Sequence, residues 1–106
     1  MSLDRPSVVD AVGTDKADGA VVLSVLDNSD WEDESEHLAA LQQKLNAYFG
    51  FVESGQIYEA YPHAIGRALR IDIISRTQIP PVGLAFLQKA SAAASKLQMV
   101  ITHRTA

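Results

Sequence analysis

The segment richest in groups that bind cations is the acidic run at residues 27–36, which holds six carboxylates in ten residues. An EF-hand calcium loop beginning at Asp27 would need glycine at its sixth position and glutamate at its twelfth. Glu32 and Leu38 occupy those two positions. The spacing therefore argues against a calcium loop in this run.

His37 follows the acidic run and is the histidine best placed to join carboxylates in a metal site. A site built from His37 with Asp30 or Asp33 is geometrically possible near a helix start. The simpler explanation is that these carboxylates stay in water at the positive end of a helix dipole. The other two histidines lie far away in the sequence and show no ligand spacing. We therefore expect no metal and no cofactor.

Catalytic and nucleotide-binding motifs do not occur in this sequence. The two glycines of residues 50–56 have the spacing of a phosphate-binding loop, but Gln56 replaces the required lysine. That segment also ends a predicted helix, whereas phosphate binding uses a helix start. No nucleophile elbow, zinc-protease motif or dinucleotide motif occurs. The absence of cysteine excludes disulfides, thiolate metal sites and cysteine nucleophiles, so we identify no catalytic residue.

Four side chains are candidates for contacting a ligand or a protein partner: Trp31, His37, Lys44 and Tyr58. His37 and Lys44 are seven residues apart and follow one flank of a predicted helix, at the border of its apolar arc. Their stems can cover the edge of the core, or the two can form the polar rim of a cleft. Trp31 either packs its ring on the core or anchors a partner.

The back of the same helix carries small, weakly polar residues where a solvated helix usually carries many lysines and glutamates. Such residues allow another backbone to approach closely, although an alanine-rich face can also simply favour helix formation. Our candidates for self-association on this face are Ala40, Gln43, Ala47 and Gly50.

Hydrophobic periodicity and turn residues predict the elements that position these side chains. Residues 20–26 form a strand with two apolar faces, which needs a cover on each side. The first helix runs from about Glu32 or Glu34 to Ser54, and Gly55 supplies a left-handed cap. Ser29 and Asp30 both have the spacing of its N-terminal cap. The remaining elements are strands at 57–61, 68–74 and 99–102 and a helix at 82–96.

From residue 20 the elements follow the order β-α-β-β-α-β, which is the ferredoxin-like order. We therefore predict an α+β fold in which two helices cover one face of an antiparallel sheet of four to five strands. A further strand-like segment at residues 8–12 conflicts with this order, because the first core strand already has two neighbours. Either that segment packs elsewhere, or the sheet order differs. The residues predicted to be almost fully buried are Leu23, Leu41, Leu45, Phe49, Ile71, Ile73 and Phe86.

The chain length favours a single domain over residues 1–106, with a loose terminus at residues 1–7. The net charge of −4 weighs against a nucleic-acid binder that relies on overall positive charge. No apolar run reaches the roughly 18 residues of a membrane span, and the first residues lack the apolar stretch of a signal peptide. We therefore expect a cytoplasmic protein with neither a nucleic-acid nor a membrane partner.

One part of the sequence resembles a family of small bacterial proteins of unknown function. The resemblance is carried by the motif D-W-x-D-E-x-x-H-L-x-x-L-Q-x-K-L-N-x-Y at residues 30–48, and it extends from about residue 20 to the C-terminus. It implies a bacterial, single-domain, cytoplasmic protein, and it implies no activity.

Two classes of function remain for this sequence. We expect a non-enzymatic interaction or regulatory module that forms a homodimer, because catalytic motifs are missing and one strand has two apolar faces. The alternative is a small-molecule binding protein or cofactor-free enzyme with a cleft near Trp31, His37, Lys44 and Tyr58. A deep pocket that joins His37 to a second titratable group would favour the alternative. A flat two-fold contact would favour the module.

Overall fold

The computed structural model describes residues 9–106, in which a mixed four-stranded sheet packs against helices. The terminus predicted to be loose, residues 1–7, lies outside the described residues, as does Val8. The strands are β1 (Ala11–Thr14), β2 (Val21–Asp27), β3 (Leu69–Ser75) and β4 (Met99–Thr105). The helices are α1 (Glu34–Glu53), α2 (Gln56–Ala60) and α3 (Pro81–Lys96), with a 3₁₀ turn at Pro62–Ala64.

The strands follow the order β1-β2-β3-β4 across the sheet. β1 is antiparallel to β2, whereas β2, β3 and β4 are parallel. Parallel neighbours need a long crossover, and α1 and α3 supply it between β2 and β3 and between β3 and β4. Two successive right-handed crossovers in one direction place both helices on the same face of the sheet, where α1 and α3 contact each other.

The α+β class is confirmed, but the ferredoxin-like order and the antiparallel sheet are wrong. Residues 57–61, predicted to be a strand, form most of α2 and its C-terminal cap. The local preference of Ile57 and Tyr58 for strands is overridden because Gly55, at a φ of 80°, turns the chain directly after α1. The short helix that follows buries Ile57 completely. Helices alone then separate β2, β3 and β4, and these strands become parallel.

β1 resolves the conflict in the predicted strand order. It pairs along the edge of β2, from Ala11 opposite Ser24 to Thr14 opposite Val21. β2 therefore has β1 on one side and β3 on the other, and four strands suffice for the described residues. β1 therefore lies in the sheet and does not cover its face.

The core lies between the sheet and the two long helices. The burial prediction is confirmed for Leu23, Leu41, Leu45, Ile71 and Ile73, which are at most 1% exposed. It is wrong for Phe49 and Phe86, which are half-buried at the margin of the core. α3 turns a different face inward because small residues allow it to lie close to the sheet. The buried residues of α3 are Gly83, Leu87, Ala90 and Ala94.

α1 begins and ends within the predicted limits, although a different residue caps it. Asp33 is the N-cap, and its carboxylate accepts a hydrogen bond from the Glu36 N–H at 3.0 Å. Ser29 and Asp30, which have the spacing of a cap, lie in the preceding loop. Gly55 is left-handed after the helix end, as its position predicts.

We expect Leu45→Ala to lower the free energy of unfolding by roughly 2–5 kcal/mol, because it opens a cavity in the core. Leu45 is 1% exposed. Urea denaturation followed by the fluorescence of the single tryptophan measures the change. Leu84→Ala is the matched control, because Leu84 on α3 is 42% exposed. A loss below about 1 kcal/mol for Leu45→Ala would contradict the assigned core face of α1.

Candidate functional site

The carboxyl ends of the parallel strands carry a buried polar pair, Asp27 and His37. His37 Nε2 lies 2.6 Å from Asp27 Oδ2, and the two residues are 5% and 1% exposed. Asp27 Oδ1 also accepts a hydrogen bond from the Ser29 N–H at 3.2 Å. Because Asp27 ends β2 and His37 lies in the first turn of α1, the pair fastens the start of the helix to the end of the strand.

Both ring nitrogens of His37 face hydrogen-bond acceptors. Nδ1 lies 2.7 Å from the backbone carbonyl oxygen of Asp30, which can only accept, so Nδ1 carries a proton. The short contact between Nε2 and the Asp27 carboxyl group requires one further proton between them. The pair is therefore either imidazolium with carboxylate or imidazole with carboxylic acid, and its net charge is zero in both states.

Trp31 covers one side of the Asp27–His37 pair. Its ring stacks on the His37 imidazole, with the centroids 3.7 Å apart and the planes 5° apart. Gly83 of α3 approaches the indole so closely that a Cβ there would lie 2.9 Å from Trp31 Cη2 and 2.6 Å from Ile79 Cγ2. Trp31 is half-buried against the core, which agrees with the packing interpretation of this residue.

Ser75 brings a hydroxyl to the same edge of the sheet. It ends β3 in register with Asp27, and its buried Oγ has no hydrogen-bond partner among residues 9–106. Serine, histidine and aspartate thus end up close together, but a nucleophilic triad needs the serine on one ring nitrogen and the carboxylate on the other. Both nitrogens of His37 already engage Asp27 and Asp30. The arrangement described here connects elements and does not activate Ser75.

Lys44 is completely buried, more deeply than either interpretation of the sequence expects. Its Nζ donates to Asp10 Oδ1 at 2.9 Å and lies 5.6 Å from the centroid of the Tyr48 ring. Asp10 Oδ2 accepts from the Leu26 N–H at 2.9 Å. The Tyr48 hydroxyl accepts from the Asp10 N–H and donates to the Ser24 carbonyl, and burial raises its pKa well above the ordinary value. This network fastens the residue before β1 to α1 and β2.

The four candidate ligand-binding residues do not line one cleft. Trp31 and His37 are stacked at the start of α1, and Lys44 lies about two helical turns further on. Tyr58 belongs to α2, beyond the end of α1. At about 1.5 Å per residue, the two ends of a helix as long as α1 are roughly 30 Å apart. The fold therefore brings together the first two candidates and separates them from Tyr58.

The candidate self-association residues on the back of α1 are Ala40, Gln43, Ala47 and Gly50. Gln43 and Gly50 are exposed, whereas Ala40 and Ala47 are half-buried. Ala47 and Gly50 border an open groove of about 470 Å³ between α1 and α2. Two of the four candidates therefore line this groove.

An open cleft at the carboxyl edge of the sheet is lined by polar loop residues that follow β2 and β3: Asn28, Ser29, Asp30, Arg76 and Thr77. The acidic run does not converge on a point in this region. Within residues 9–106, no group of three or more histidines and carboxylates is arranged to hold a metal ion.

The face of the sheet opposite the helices is accessible, and we call it the open face. Along β2 and β3 buried side chains alternate with half-buried or exposed ones, because only one face packs on the helices. The open face carries the apolar side chains of Val22, Leu26, Ile74 and Val100. Leu26 is 38% exposed and Val100 is 60% exposed.

The charged residues of the open face are paired within the chain. Arg70 donates to Asp15 at 2.7 Å, and this hydrogen bond holds the pKa of the Asp15 carboxyl below its ordinary value. Asp72 accepts from Thr102 Oγ1 at 3.1 Å and from Arg104 Nε at 3.2 Å. The open face therefore presents apolar side chains beside neutralised charge pairs.

A protein-family model matches the sequence over residues 1–106. The chain belongs to DUF6572, a family of unknown function. This confirms the resemblance to a family of unknown function. No curated protein and no solved structure matches this sequence significantly. Membership of DUF6572 brings no activity with it, so the geometry of the chain carries the functional argument.

Sequence reasoning missed the carboxylate partners of both buried polar residues of α1. Asp27 belongs to a run interpreted as solvated, and Asp10 lies 34 positions from its partner Lys44. One signal was available. At 100° per residue, His37 and Lys44 fall inside the arc that contains Tyr48, and a charged side chain in a buried arc needs a partner of opposite charge.

Proposed function

We propose that this chain is a non-enzymatic interaction module that works as a homodimer through its sheet. The observation that carries the proposal is that the helices of residues 9–106 cover only one face of the sheet. α1 and α3 pack on one face, whereas Val100 of β4 is 60% exposed on the other. Large exposed apolar side chains on an otherwise ordered sheet are typical of a surface that meets a protein.

A second copy of the chain is the partner that this sheet fits. The charges of the open face are paired within the chain, Arg70 with Asp15 and Asp72 with Arg104. Two identical sheets of this kind can therefore lie side by side without an unpaired charge between them. β1 does not compete for the surface, because it lies in the sheet beside β2.

The alternative function, a small-molecule binder or cofactor-free enzyme, has less support. Trp31 and His37 are used in packing against each other, and Lys44 is paired with Asp10. Tyr58 lies beyond the far end of α1. A ligand cleft lined by all four would need them on one surface, and their positions along α1 and α2 oppose that.

We further propose that the module acts in a bacterial cytoplasm and does not bind nucleic acid. The resemblance to small bacterial proteins supports the source and the compartment. The net charge of −4 opposes non-specific attraction to nucleic acid. No helix within residues 9–106 is long and apolar enough to cross a bilayer.

The mass of the protein in solution tests the homodimer. Light scattering coupled to size exclusion should give twice the 11.5 kDa mass of the chain. Thr102→Lys should give a monomer, because it places a cation on the outermost strand on the open face. A lysine there can still pair with Asp72, so the fold is retained. Leu84→Lys on α3 is the matched control and should remain a dimer, since Leu84 is exposed on the helix side.

Two results would contradict the homodimer. One is a wild-type mass of a single chain at about 100 μM, where a dimer with a Kd of about 1 μM would be nearly complete. The other is that Thr102→Lys and Leu84→Lys reduce the measured mass from dimer toward monomer to the same extent. Such a result would give no evidence for a contact on the sheet side.

A further inference from the structure

We infer that two copies join edge to edge through β4, in antiparallel register, and thereby form one continuous sheet. The inference rests on the proposed homodimer and adds the contact that builds it. The sheet ends at β4, which pairs over seven residues with β3 on one side and with no described strand on the other. The opposite edge strand, β1, has four residues.

β4 lacks most of the devices that keep an edge strand from pairing with another chain, and its arginine, Arg104, is paired with Asp72. Edges are commonly protected by proline, by a bulge or by a covering element. β4 contains no proline, and its register with β3 is continuous from Met99 to Thr105. Val100, His103, Arg104 and Thr105 are all exposed. The strand is therefore open to a further strand.

The backbone groups that point outward from β4 can be assigned from one hydrogen bond. The Ala106 N–H donates to the Ser75 carbonyl of β3 at 2.9 Å. In a parallel ladder every second residue bonds to the neighbouring strand, so residues 100, 102 and 104 also bond to β3. The N–H and C=O groups of Ile101, His103 and Thr105 then point away from β3. Within residues 9–106, these groups have no backbone hydrogen-bond partner outside β4.

A two-fold axis beside Thr102 pairs the two copies of β4 over their full length. Ile101 then lies opposite the partner's His103, and both residues point their backbone groups toward each other. Each such pair exchanges two hydrogen bonds, so the full strand forms about eight. The same register places Thr102 opposite the partner's Thr102, a favourable cross-strand pair of β-branched residues.

The side chains are compatible with this register. Val100, the most exposed of the large apolar residues of the sheet, lies opposite the partner's Arg104, whose aliphatic stem can cover it. The two Arg104 side chains start four residues apart along the pair of strands, which is roughly 13 Å. That separation exceeds the Debye length of about 8 Å at physiological salt, and each arginine already pairs with Asp72 of its own chain.

Edge pairing also explains why the open face need not be the contact itself. β3 lies in the middle of the sheet and presents Arg70 and Asp72 on that face. Stacking a second sheet there would take both charge pairs out of water, and interface centres are depleted of charge for that reason. Pairing through β4 leaves this network solvated.

The decisive variant is His103→Pro compared with His103→Ala. Proline removes one outward N–H and leaves every bond to β3 intact, and an edge strand tolerates it. Each dimer loses this donor twice and leaves two carbonyl groups unpaired. We expect His103→Pro to raise the dimer Kd by about 100-fold, whereas His103→Ala keeps the N–H and changes the Kd by less than about 5-fold.

Hydrogen exchange on the wild-type protein gives a second test that does not depend on a variant folding. The amides of Ile101 and His103 should be protected at concentrations where the dimer is populated and should exchange rapidly on dilution to monomer. Leu26→Lys, on the open face two strands away from β4, should leave the dimer intact.

The outcomes separate this inference from the proposed function. If the wild type is monomeric, the homodimer and its β4 contact both fail. A second outcome is a dimeric wild type in which His103→Pro has no effect, the Ile101 and His103 amides exchange freely, and Leu26→Lys dissociates the dimer. In that case the homodimer stands and the β4 contact is wrong. Dissociation by His103→Pro, with protected amides and an intact Leu26→Lys dimer, supports both.

Discussion

Asp27→Ala is expected to lower the free energy of unfolding by about 3–5 kcal/mol, because it breaks a buried charge-assisted pair. Asp27 is 1% exposed and shares a proton with His37 across 2.6 Å. Its removal leaves the His37 ring with one unpaired nitrogen in the interior and takes the acceptor from the Ser29 N–H. The start of α1 then loses its connection to the end of β2. Urea denaturation at a fixed protein concentration measures the loss.

Asp27→Asn is the matched control, and its expected cost is below about 1.5 kcal/mol. An asparagine amide can donate to His37 Nε2 while its carbonyl oxygen still accepts from the Ser29 N–H. The fluorescence of Trp31, which stacks on His37, reports whether the ring is still in place. If Asp27→Asn and Asp27→Ala cost the same, the hydrogen-bond geometry assigned to this pair is wrong.

The part of the fold that sequence predicted best is α1, because its periodic apolar residues and its cap region act locally. Leu41 and Leu45 are buried as the 3.6-residue period requires, and Gly55 ends the helix in the left-handed conformation. His37 and Lys44 belong to the same arc, but the sequence pattern placed them at its border. Their burial depends on carboxylates that sequence distance hides, Asp10 for Lys44 and Asp27 for His37.

The strand order was mispredicted because one short segment was assigned the wrong element. Ile57, Tyr58 and Tyr61 favour a strand by composition, and that assignment turns two β-α-β units into a ferredoxin-like order. In the fold, Ile57 packs into the core from a five-residue helix. A tertiary contact decides the conformation here, and local propensity does not contain it.

The inward face of α3 was also mispredicted. Phe86, the largest apolar side chain of this helix, was predicted to be almost fully buried and is half-buried. Gly83 faces inward instead, because Trp31 from the loop before α1 occupies the space that a side chain at position 83 would need. The position of that indole depends in turn on its stack with His37. No periodicity within α3 carries this information.

Lys44→Met is expected to lower the free energy of unfolding by about 3–5 kcal/mol, because it leaves the Asp10 carboxylate without its buried cation. Methionine keeps most of the volume of the lysine stem, so the loss is electrostatic and does not come from a cavity. Asp10 retains the N–H of Leu26 as a hydrogen-bond donor. This single hydrogen bond does not offset the cost of burying a carboxylate whose side chain is 9% exposed. Lys89→Met on the exposed side of α3 is the matched control, with an expected change within about 0.5 kcal/mol.

A double-mutant cycle separates the ion pair from the other contacts of Lys44. Asp10→Asn removes the charge that Lys44 neutralises, so the cost of Lys44→Met should be smaller in that background, with a coupling of about 1.5–3 kcal/mol. The measurement is urea denaturation of the four proteins, with a change of oligomeric state excluded by light scattering at the same concentration. A coupling near zero would show that Lys44 and Asp10 do not interact in the folded protein. In that case the residue before β1 would not be fastened to α1 by this pair, and β1 would be held by its ladder to β2, by the Asp10–Leu26 hydrogen bond and by the Tyr48 hydroxyl.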